Sequence, residues 1–185
     1  MSKQQFDTGP HAPSDILIIE DERDTATLYQ NYLEDQYSTT LATSGEQALE
    51  ELNPRIDLIL LDLNLPRMNG KKVIEAIEED EVEHTEPRII ILTTRDPTPE
   101  ILDYPVDKYK MKPIYRDDLQ SLIHDIALQN EFQNLSNTLF QKRSKRNSLN
   151  QAGKTDTETY RELLNSIDEI ESKLTELYEQ IAAGD

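Results

Sequence analysis

Four short runs rich in apolar residues lie in the first two thirds of the chain, at residues 16–19, 58–61, 89–92 and 109–111. Short continuous runs of branched apolar side chains are typical of strands that are buried on both faces, as in a parallel sheet. Stretches with the apolar spacing of helices lie between these runs. Such alternation, with right-handed crossovers, gives a doubly wound α/β sheet. We therefore predict an α/β domain built around a parallel sheet.

The first helix is predicted at about residues 24–34, and a short strand follows it at about residues 37–41. Leu28, Tyr32 and Leu33 are expected to face the core. The additional strand brings the predicted sheet to five strands.

The starts of two further helices carry sequence signals. Ser44 is followed three residues later by Gln47, which is the spacing of a capping box. Asn69-Gly70 precedes the third helix and predicts a tight turn with a positive φ angle. The apolar faces of these helices consist of Ala48, Leu49, Leu52, Val73, Ile74 and Ile77.

Polar residues of complementary chemistry follow the strands, at the point where each strand ends. In open parallel sheets the carboxyl ends of the strands meet at one edge, where ligand sites collect. Three carboxylates, a hydroxyl and an ammonium at one edge suit a phosphate group and a metal ion. The residues are Glu20, Asp21, Asp62, Thr93 and Lys112, and a second threonine, Thr94, follows Thr93.

These motifs together resemble the receiver domain of two-component response regulators, over about residues 14–128. The resemblance implies a flavodoxin-like, doubly wound sheet of five parallel strands. It also implies that Asp62 accepts a phosphoryl group from a sensor histidine kinase. The protein would then be a regulatory phosphoacceptor that catalyses only its own phosphorylation and dephosphorylation, and not an enzyme in the usual sense. The motifs are Glu20-Asp21, the stretch Leu61–Gly70, Thr93 and Lys112-Pro113.

The same resemblance implies a bound Mg²⁺ ion, an ion that prefers hard oxygen ligands and retained waters. Asp21 and Asp62 are the implied direct ligands. Glu20 is implied to act through water, and Asn64 through its backbone carbonyl. The sequence thus supplies a full set of oxygen ligands for one cation.

Three residues have implied roles in the response to phosphorylation. Lys112 would place a positive charge at one phosphoryl oxygen, and the Thr93 hydroxyl would donate to another. Tyr109 takes the position of an aromatic switch residue, although a half-buried strand tyrosine explains it almost as well. Two positions depart from the family pattern, since Glu20 stands where Asp is more frequent and Thr94 where a small residue is usual.

Two other functions fit parts of this pattern. A pseudo-receiver, which serves as an interaction module without phosphorylation, is kept open by Glu20 and Thr94. The intact acceptor, threonine and lysine argue against it. A phosphatase of a related α/β fold would need an acidic residue two positions after Asp62, where Asn64 stands.

The last part of the chain, residues 129–185, has the pattern of a helical tail. A helix that begins near Asp117 is expected to continue through Leu139, and a polar connection of about fifteen residues is expected after it. The final helix carries a heptad stripe, which is strong evidence for pairing with another helix. The heptad stripe consists of Tyr160, Leu163, Ile167, Ile170, Leu174, Leu177 and Ile181.

The combination of receiver and tail resembles the HalX regulators of halophilic archaea. The heptad stripe can fold back on residues 132–139 as a hairpin, or it can pair with a second chain as a coiled coil. We favour a homodimer, because Pro97, Pro99 and Pro105 leave room for only a short helix at about residues 100–103, where receivers often dimerise.

Composition describes the setting of the protein. The 37 acidic and 19 basic residues give a formal charge of −18, which disfavours nucleic acid as a partner. Because salt screens such repulsion, a salt-adapted source is favoured over an ordinary acidic protein. The absence of cysteine and of a long apolar stretch predicts a cytoplasmic protein with no membrane partner. Residues 1–13 are expected to form a loose leader without a signal peptide.

Overall fold

The computed structural model describes residues 13–79, 87–94 and 104–184. The chain divides into two compact units, one of residues 13–123 and one that contains residues 124–184. The elements in chain order are β1 (Asp15–Ile19), α1 (Arg23–Leu33), β2 (Ser38–Ala42), α2 (Gly45–Glu51), β3 (Leu58–Leu61), α3 (Gly70–Glu78), β4 (Arg88–Thr93), β5 (Lys108–Met111), α4 (Arg116–Gln151) and α5 (Glu158–Gly184). The short helix predicted at residues 100–103, together with Pro97 and Pro99, falls outside the described residues.

The sheet of the first unit has five parallel strands in the order β2-β1-β3-β4-β5. This order reverses direction beside β1, as expected of a doubly wound sheet, and it confirms the predicted fold class. The register pairs Ile19 with Leu61, and Leu61 with Ile91. The three central strands therefore end at nearly the same level, which brings the residues that follow them to one edge.

Alternate residues of the central strands form the core on one face of the sheet, together with α2 and α3. Val73 and Ile74 of α3 and Ala48 of α2 belong to the same buried cluster as Leu17 and Ile59 of the strands. The neighbouring strand residues point to the opposite face, and they are buried as well. Burial on both faces explains why these strands appear in the sequence as continuous apolar runs.

The core-facing side of α1 differs from the prediction. Leu28 is 44% exposed, whereas Ala26, Tyr29 and Leu33 are buried. Residues 26, 29 and 33 lie on one helical stripe, and Leu28 lies about 200° around the helix from Ala26 at 100° per residue. The prediction for Leu33 is confirmed, whereas the prediction for Leu28 is wrong, because the buried stripe is formed by Ala26, Tyr29 and Leu33.

The predicted start of α2 is confirmed. Ser44 is the N-cap, and its hydroxyl accepts a hydrogen bond from the Gln47 backbone N–H at 3.2 Å. The Gln47 side chain in turn accepts from the backbone N–H of Thr43, one residue before the cap, at 2.9 Å. Two backbone donors at the helix start are satisfied in this way.

The second unit contains a helical hairpin formed by α4 and α5. Leu163 and Ile167 of the heptad stripe form a buried cluster with Leu139, and Ile170 and Leu174 pack against it. Lys173 Nζ lies 2.6 Å from a carboxylate oxygen of Glu131, and Arg143 Nη2 lies 2.8 Å from Glu171. The heptad stripe is thus covered within the chain, in the hairpin arrangement that the sequence left open.

The connection within the hairpin is shorter than predicted. Helix α4 continues to Gln151, and residues 152–157 alone join it to α5. The segment from residue 141 onward is polar but contains no glycine or proline before Gly153, and polarity alone does not end a helix. Gly153 adopts φ 66°, and the Thr157 hydroxyl accepts from the Tyr160 N–H at the start of α5. None of the described helices is apolar enough over a sufficient length to cross a bilayer.

Candidate functional site

The main chain fixes the residues that follow β1, β3 and β5. Each of them donates its backbone N–H to the neighbouring strand, so the ladder continues one residue beyond the strand end. Their side chains therefore leave the sheet from backbone positions that are as well defined as the strands. The three hydrogen bonds join Glu20 N to Ala42 O (3.0 Å), Asp62 N to Ile19 O (2.9 Å) and Lys112 N to Thr93 O (2.8 Å).

Three carboxylates meet at this edge. One oxygen from each of Glu20, Asp21 and Asp62 lies within 4.8 Å of the others. Glu20 and Asp62 are only 3% and 5% exposed, whereas Asp21 is open to solvent. The structure thus brings together the acidic residues that the sequence singled out, in a cluster of two buried residues and one exposed residue.

The Lys112 ammonium lies between two of these carboxylates. Its Nζ donates to Glu20 Oε2 and to Asp62 Oδ2, both at 2.5 Å. Burial raises the pKa of Glu20, and the bond to Lys112 opposes this rise only in part. Burial alone would lower the pKa of Lys112, but the hydrogen bonds to Asp62 and Glu20 outweigh it and raise that pKa. Lys112 therefore remains protonated at neutral pH.

The charges of the cluster suit a divalent cation. Three carboxylates against one ammonium leave two negative charges in excess when all are ionised. The donors are carboxylate oxygens, which are the hard ligands that Mg²⁺ prefers. The exposed side at Asp21 provides access for an ion that keeps several waters. The residues present thus fit a magnesium site.

Asn64 and Thr93 complete the edge of the site. The Asn64 backbone N–H donates to Asp62 Oδ1 at 2.8 Å, while its side-chain Nδ2 donates to Thr93 Oγ1 at 3.2 Å. Thr93 is fully buried at the end of β4. Both oxygens of Asp62 are therefore held in place, one by Asn64 and the other by Lys112. The sequence predicted only a role for the Asn64 carbonyl and missed these two contacts.

Two tyrosines relate to the site in different ways. Tyr109 of β5 is half-buried and packs against the core cluster of α2 and α3, so its role as a switch residue stays a prediction. Tyr29 was not predicted to matter, yet burial raises its pKa to about 12, with smaller effects from the charges of Lys112, Glu20 and Asp62. The sequence feature that could have predicted burial of Tyr29 is its helical spacing from Ala26 and Leu33 in α1.

The loop after Asp62 returns closely to the backbone of that residue. A Cβ on Gly70 would lie 2.8 Å from the Asp62 carbonyl oxygen and 2.8 Å from the Leu63 Cα. The predicted positive φ at Asn69-Gly70 is wrong, because Asn69 is an extended N-cap and the positive φ of this loop, 63°, is at Arg67. Gly70 is needed because the backbone at the start of α3 approaches the backbone of Asp62 and Leu63 closely. This approach positions Asp62 against α3. At another part of the site, just after β5, the Lys112–Pro113 peptide bond is cis.

Comparison with known proteins identifies a family for the first unit. The family model of the response regulator receiver domain matches residues 16–124, which is more than half of the chain. The match ends near the start of the second unit. The likeness of the tail to HalX regulators therefore stays a prediction.

Individual proteins agree with this match. The response regulator ArlR of Staphylococcus saprophyticus is 35% identical over 124 residues, which cover 65% of this chain and 55% of ArlR. The transcriptional regulatory protein CpxR of Escherichia coli is 33% identical over 115 residues, which cover 60% of this chain and 48% of CpxR. The chain thus spans about half the length of these curated relatives.

Solved structures show the same fold. The CheY-like response regulator receiver domain of Methylobacillus flagellatus superposes with a TM-score of 0.55 at 26% sequence identity. The superposition covers 61% of this chain and 98% of that domain. The described residues of the first unit therefore have the receiver fold.

Proposed function

The chain belongs to the response regulator receiver domain family of two-component systems, and on that premise we propose that Asp62 accepts a phosphoryl group from a sensor histidine kinase. The proposal is carried by one observation. A nearly buried carboxylate at a strand end has an ammonium at 2.5 Å and two further carboxylates within 4.8 Å. This arrangement holds an oxygen nucleophile in place and supplies the charges that phosphoryl transfer requires.

In the proposed step, an Asp62 oxygen forms a bond to phosphorus while the bond from phosphorus to the donor histidine nitrogen breaks. The leaving imidazole keeps the electron pair of that bond and takes up a proton. Lys112 moves its charge from the free carboxylate to a phosphoryl oxygen, and the Thr93 hydroxyl donates to another. Such a reaction depends mainly on positioning and charge neutralisation, and both are provided by fixed side chains.

Mg²⁺ is the proposed cofactor, and when bound it would offset the repulsion between the phosphoryl group and the carboxylates. Asp21 and Asp62 are the proposed direct ligands, with Glu20 acting through water and Asn64 through its carbonyl. Glu20 also bonds directly to Lys112. We therefore propose a second task for Glu20, which is to keep the ammonium beside the acceptor.

The output of the proposed switch is regulatory. The protein would return to its resting state by hydrolysis of its own acyl phosphate, in the cytoplasm, and signal through its surface and tail. A homodimer through the tail and a HalX type of tail remain proposals. The argument for a dimer was that the heptad stripe needs a helix to pair with. The hairpin weakens this argument, because α4 already packs on the heptad stripe.

The alternative of a pseudo-receiver is not favoured by the site. Such a module has no need of an acceptor, a lysine and a threonine at one edge, and all three lie there. The departures at Glu20 and Thr94 leave the acceptor intact, since Glu20 bonds to Lys112 and Thr94 is exposed.

Acetyl phosphate tests the proposal without a cognate kinase. The intact mass of the full chain should rise by one phosphate in the presence of Mg²⁺, and the rise should be absent in Asp62→Asn. Asp57→Asn is a matched control, because Asp57 precedes the other end of the same strand and bonds to Ser14. Undiminished labelling of Asp62→Asn, or labelling that persists in excess chelator, would refute the assignment.

A further inference from the structure

Asn64 joins the phosphoacceptor loop to the end of β4 through a side-chain hydrogen bond. Its amide Nδ2 donates to Thr93 Oγ1 at 3.2 Å and points toward Thr94 Oγ1 at 3.5 Å. The backbone N–H of the same residue donates to Asp62 Oδ1. One residue therefore contacts both the acceptor carboxylate and the proposed switch hydroxyl.

The direction of the Asn64–Thr93 bond has a chemical consequence. An amide nitrogen can only donate, so the Thr93 oxygen is the acceptor in this contact. The bond holds the hydroxyl oxygen beside the residue whose backbone N–H donates to Asp62. Rotation about the Cβ–Oγ1 bond would then turn the hydroxyl hydrogen toward a phosphoryl oxygen once that group is on Asp62.

We propose that the Asn64 side chain is a positioning residue, which orients the Thr93 hydroxyl for donation to the phosphoryl group on Asp62. This inference rests on the proposed function and adds a residue to it. The role is separate from the proposed metal contact of Asn64, because that contact uses the backbone carbonyl and survives replacement of the side chain.

Beryllofluoride, a stable mimic of the phosphoryl group, tests the inference by calorimetric titration of the full chain in saturating Mg²⁺. Asn64→Ala should weaken beryllofluoride binding about three- to tenfold, which corresponds to the loss of one hydrogen bond. Thr93→Ala should weaken binding at least as much. The double variant should match Thr93→Ala within about twofold, because Asn64 acts through Thr93.

Three further measurements separate this role from a structural one. Thr94→Ala removes the more distant hydroxyl and should bind beryllofluoride as the natural protein does, because a bond of 3.5 Å contributes little. The affinity of Asn64→Ala for Mg²⁺ alone should be unchanged within about twofold. Asn64→Asp keeps the shape but adds a carboxylate, which repels beryllofluoride and can only accept from Thr93, so it should weaken binding more than Asn64→Ala does.

The outcomes that overturn the inference are distinct. The inference is overturned if Asn64→Ala or Asn64→Asp binds beryllofluoride as tightly as the unsubstituted protein. It is also overturned if the loss of affinity in the double variant is the product of the losses in the two single variants. A loss of Mg²⁺ affinity in Asn64→Ala equal to its loss of beryllofluoride affinity would show a role in metal binding instead. If the natural protein bound no beryllofluoride and took up no phosphate, the proposed function and this inference would fall together.

Discussion

Replacement of Lys112 by methionine should destabilise the first unit by about 3 kcal/mol at pH 8 without Mg²⁺. The substitution keeps an unbranched side chain of similar reach and removes the ammonium. Glu20 and Asp62 are then left nearly buried without their ionic partner. Removal of one partner of a buried ion pair costs about 3–5 kcal/mol. The low end applies here, because Asp62 keeps its bond from the Asn64 N–H and Asp21 leaves one side of the site open.

The loss should depend on pH in a defined direction. The pKa of Glu20 in the folded protein is already above its ordinary value of 4.5, and removal of Lys112 takes away the contacts that oppose this rise. A raised carboxyl pKa favours the folded state while the group is protonated, and stability falls as pH rises through that pKa. The cost of Lys112→Met should therefore be smaller at pH 5 than at pH 8. Saturating Mg²⁺ should also reduce it, because the cation replaces the lost positive charge.

Urea denaturation followed by circular dichroism measures the effect. Lys110→Met is the matched control on β5, the strand that Lys112 follows, because Lys110 pairs with Asp118 at 3.6 Å and both side chains are more than 40% exposed. A surface pair of this kind contributes at most about 1 kcal/mol. Equal free energies of unfolding for the two variants, or a cost that is the same at pH 5 and pH 8, would refute this account of Lys112.

Three further predictions concern other parts of the chain. Gly70→Ala should lower the free energy of unfolding by about 1–3 kcal/mol and slow labelling by acetyl phosphate. Gly153→Ala, where a Cβ meets nothing within 4 Å, should leave the labelling rate unchanged. Equal labelling rates in the two variants would contradict the role of Gly70. Lys173→Ala should cost about 1 kcal/mol in urea denaturation and almost nothing when Glu131 is already glutamine, and additive losses would argue against this pair in the hairpin. With a formal charge of −18, the melting temperature should rise from low to molar potassium chloride, and a falling midpoint would remove the argument for salt adaptation.

The strands and the site residues could be predicted because their signals are local. Runs such as residues 58–61 are apolar throughout, which is the pattern of a strand that is buried on both faces. The polar residue after each run then marks the carboxyl edge of the sheet. The gathering of Glu20, Asp62 and Lys112 follows from the parallel topology alone.

Other features depend on contacts that the sequence does not contain. The direct bond between Glu20 and Lys112 joins residues 92 positions apart, so no local pattern in the sequence announces it. The need for glycine at position 70 comes from the approach of two backbones, and the positive φ appears at Arg67 instead. The end of α4 was misplaced because a polar stretch without Gly or Pro can remain helical when one side of it is packed.

The location of the phosphoryl group tests the central claim most directly. The full chain is treated with acetyl phosphate and Mg²⁺, the acyl phosphate is reduced with borohydride, and the peptides are sequenced by mass spectrometry. Reduction converts a phosphorylated aspartate to homoserine, so the account predicts homoserine at position 62 and aspartate at positions 21 and 57. Homoserine at another position with unmodified Asp62, or no phosphate uptake at all, would contradict the account.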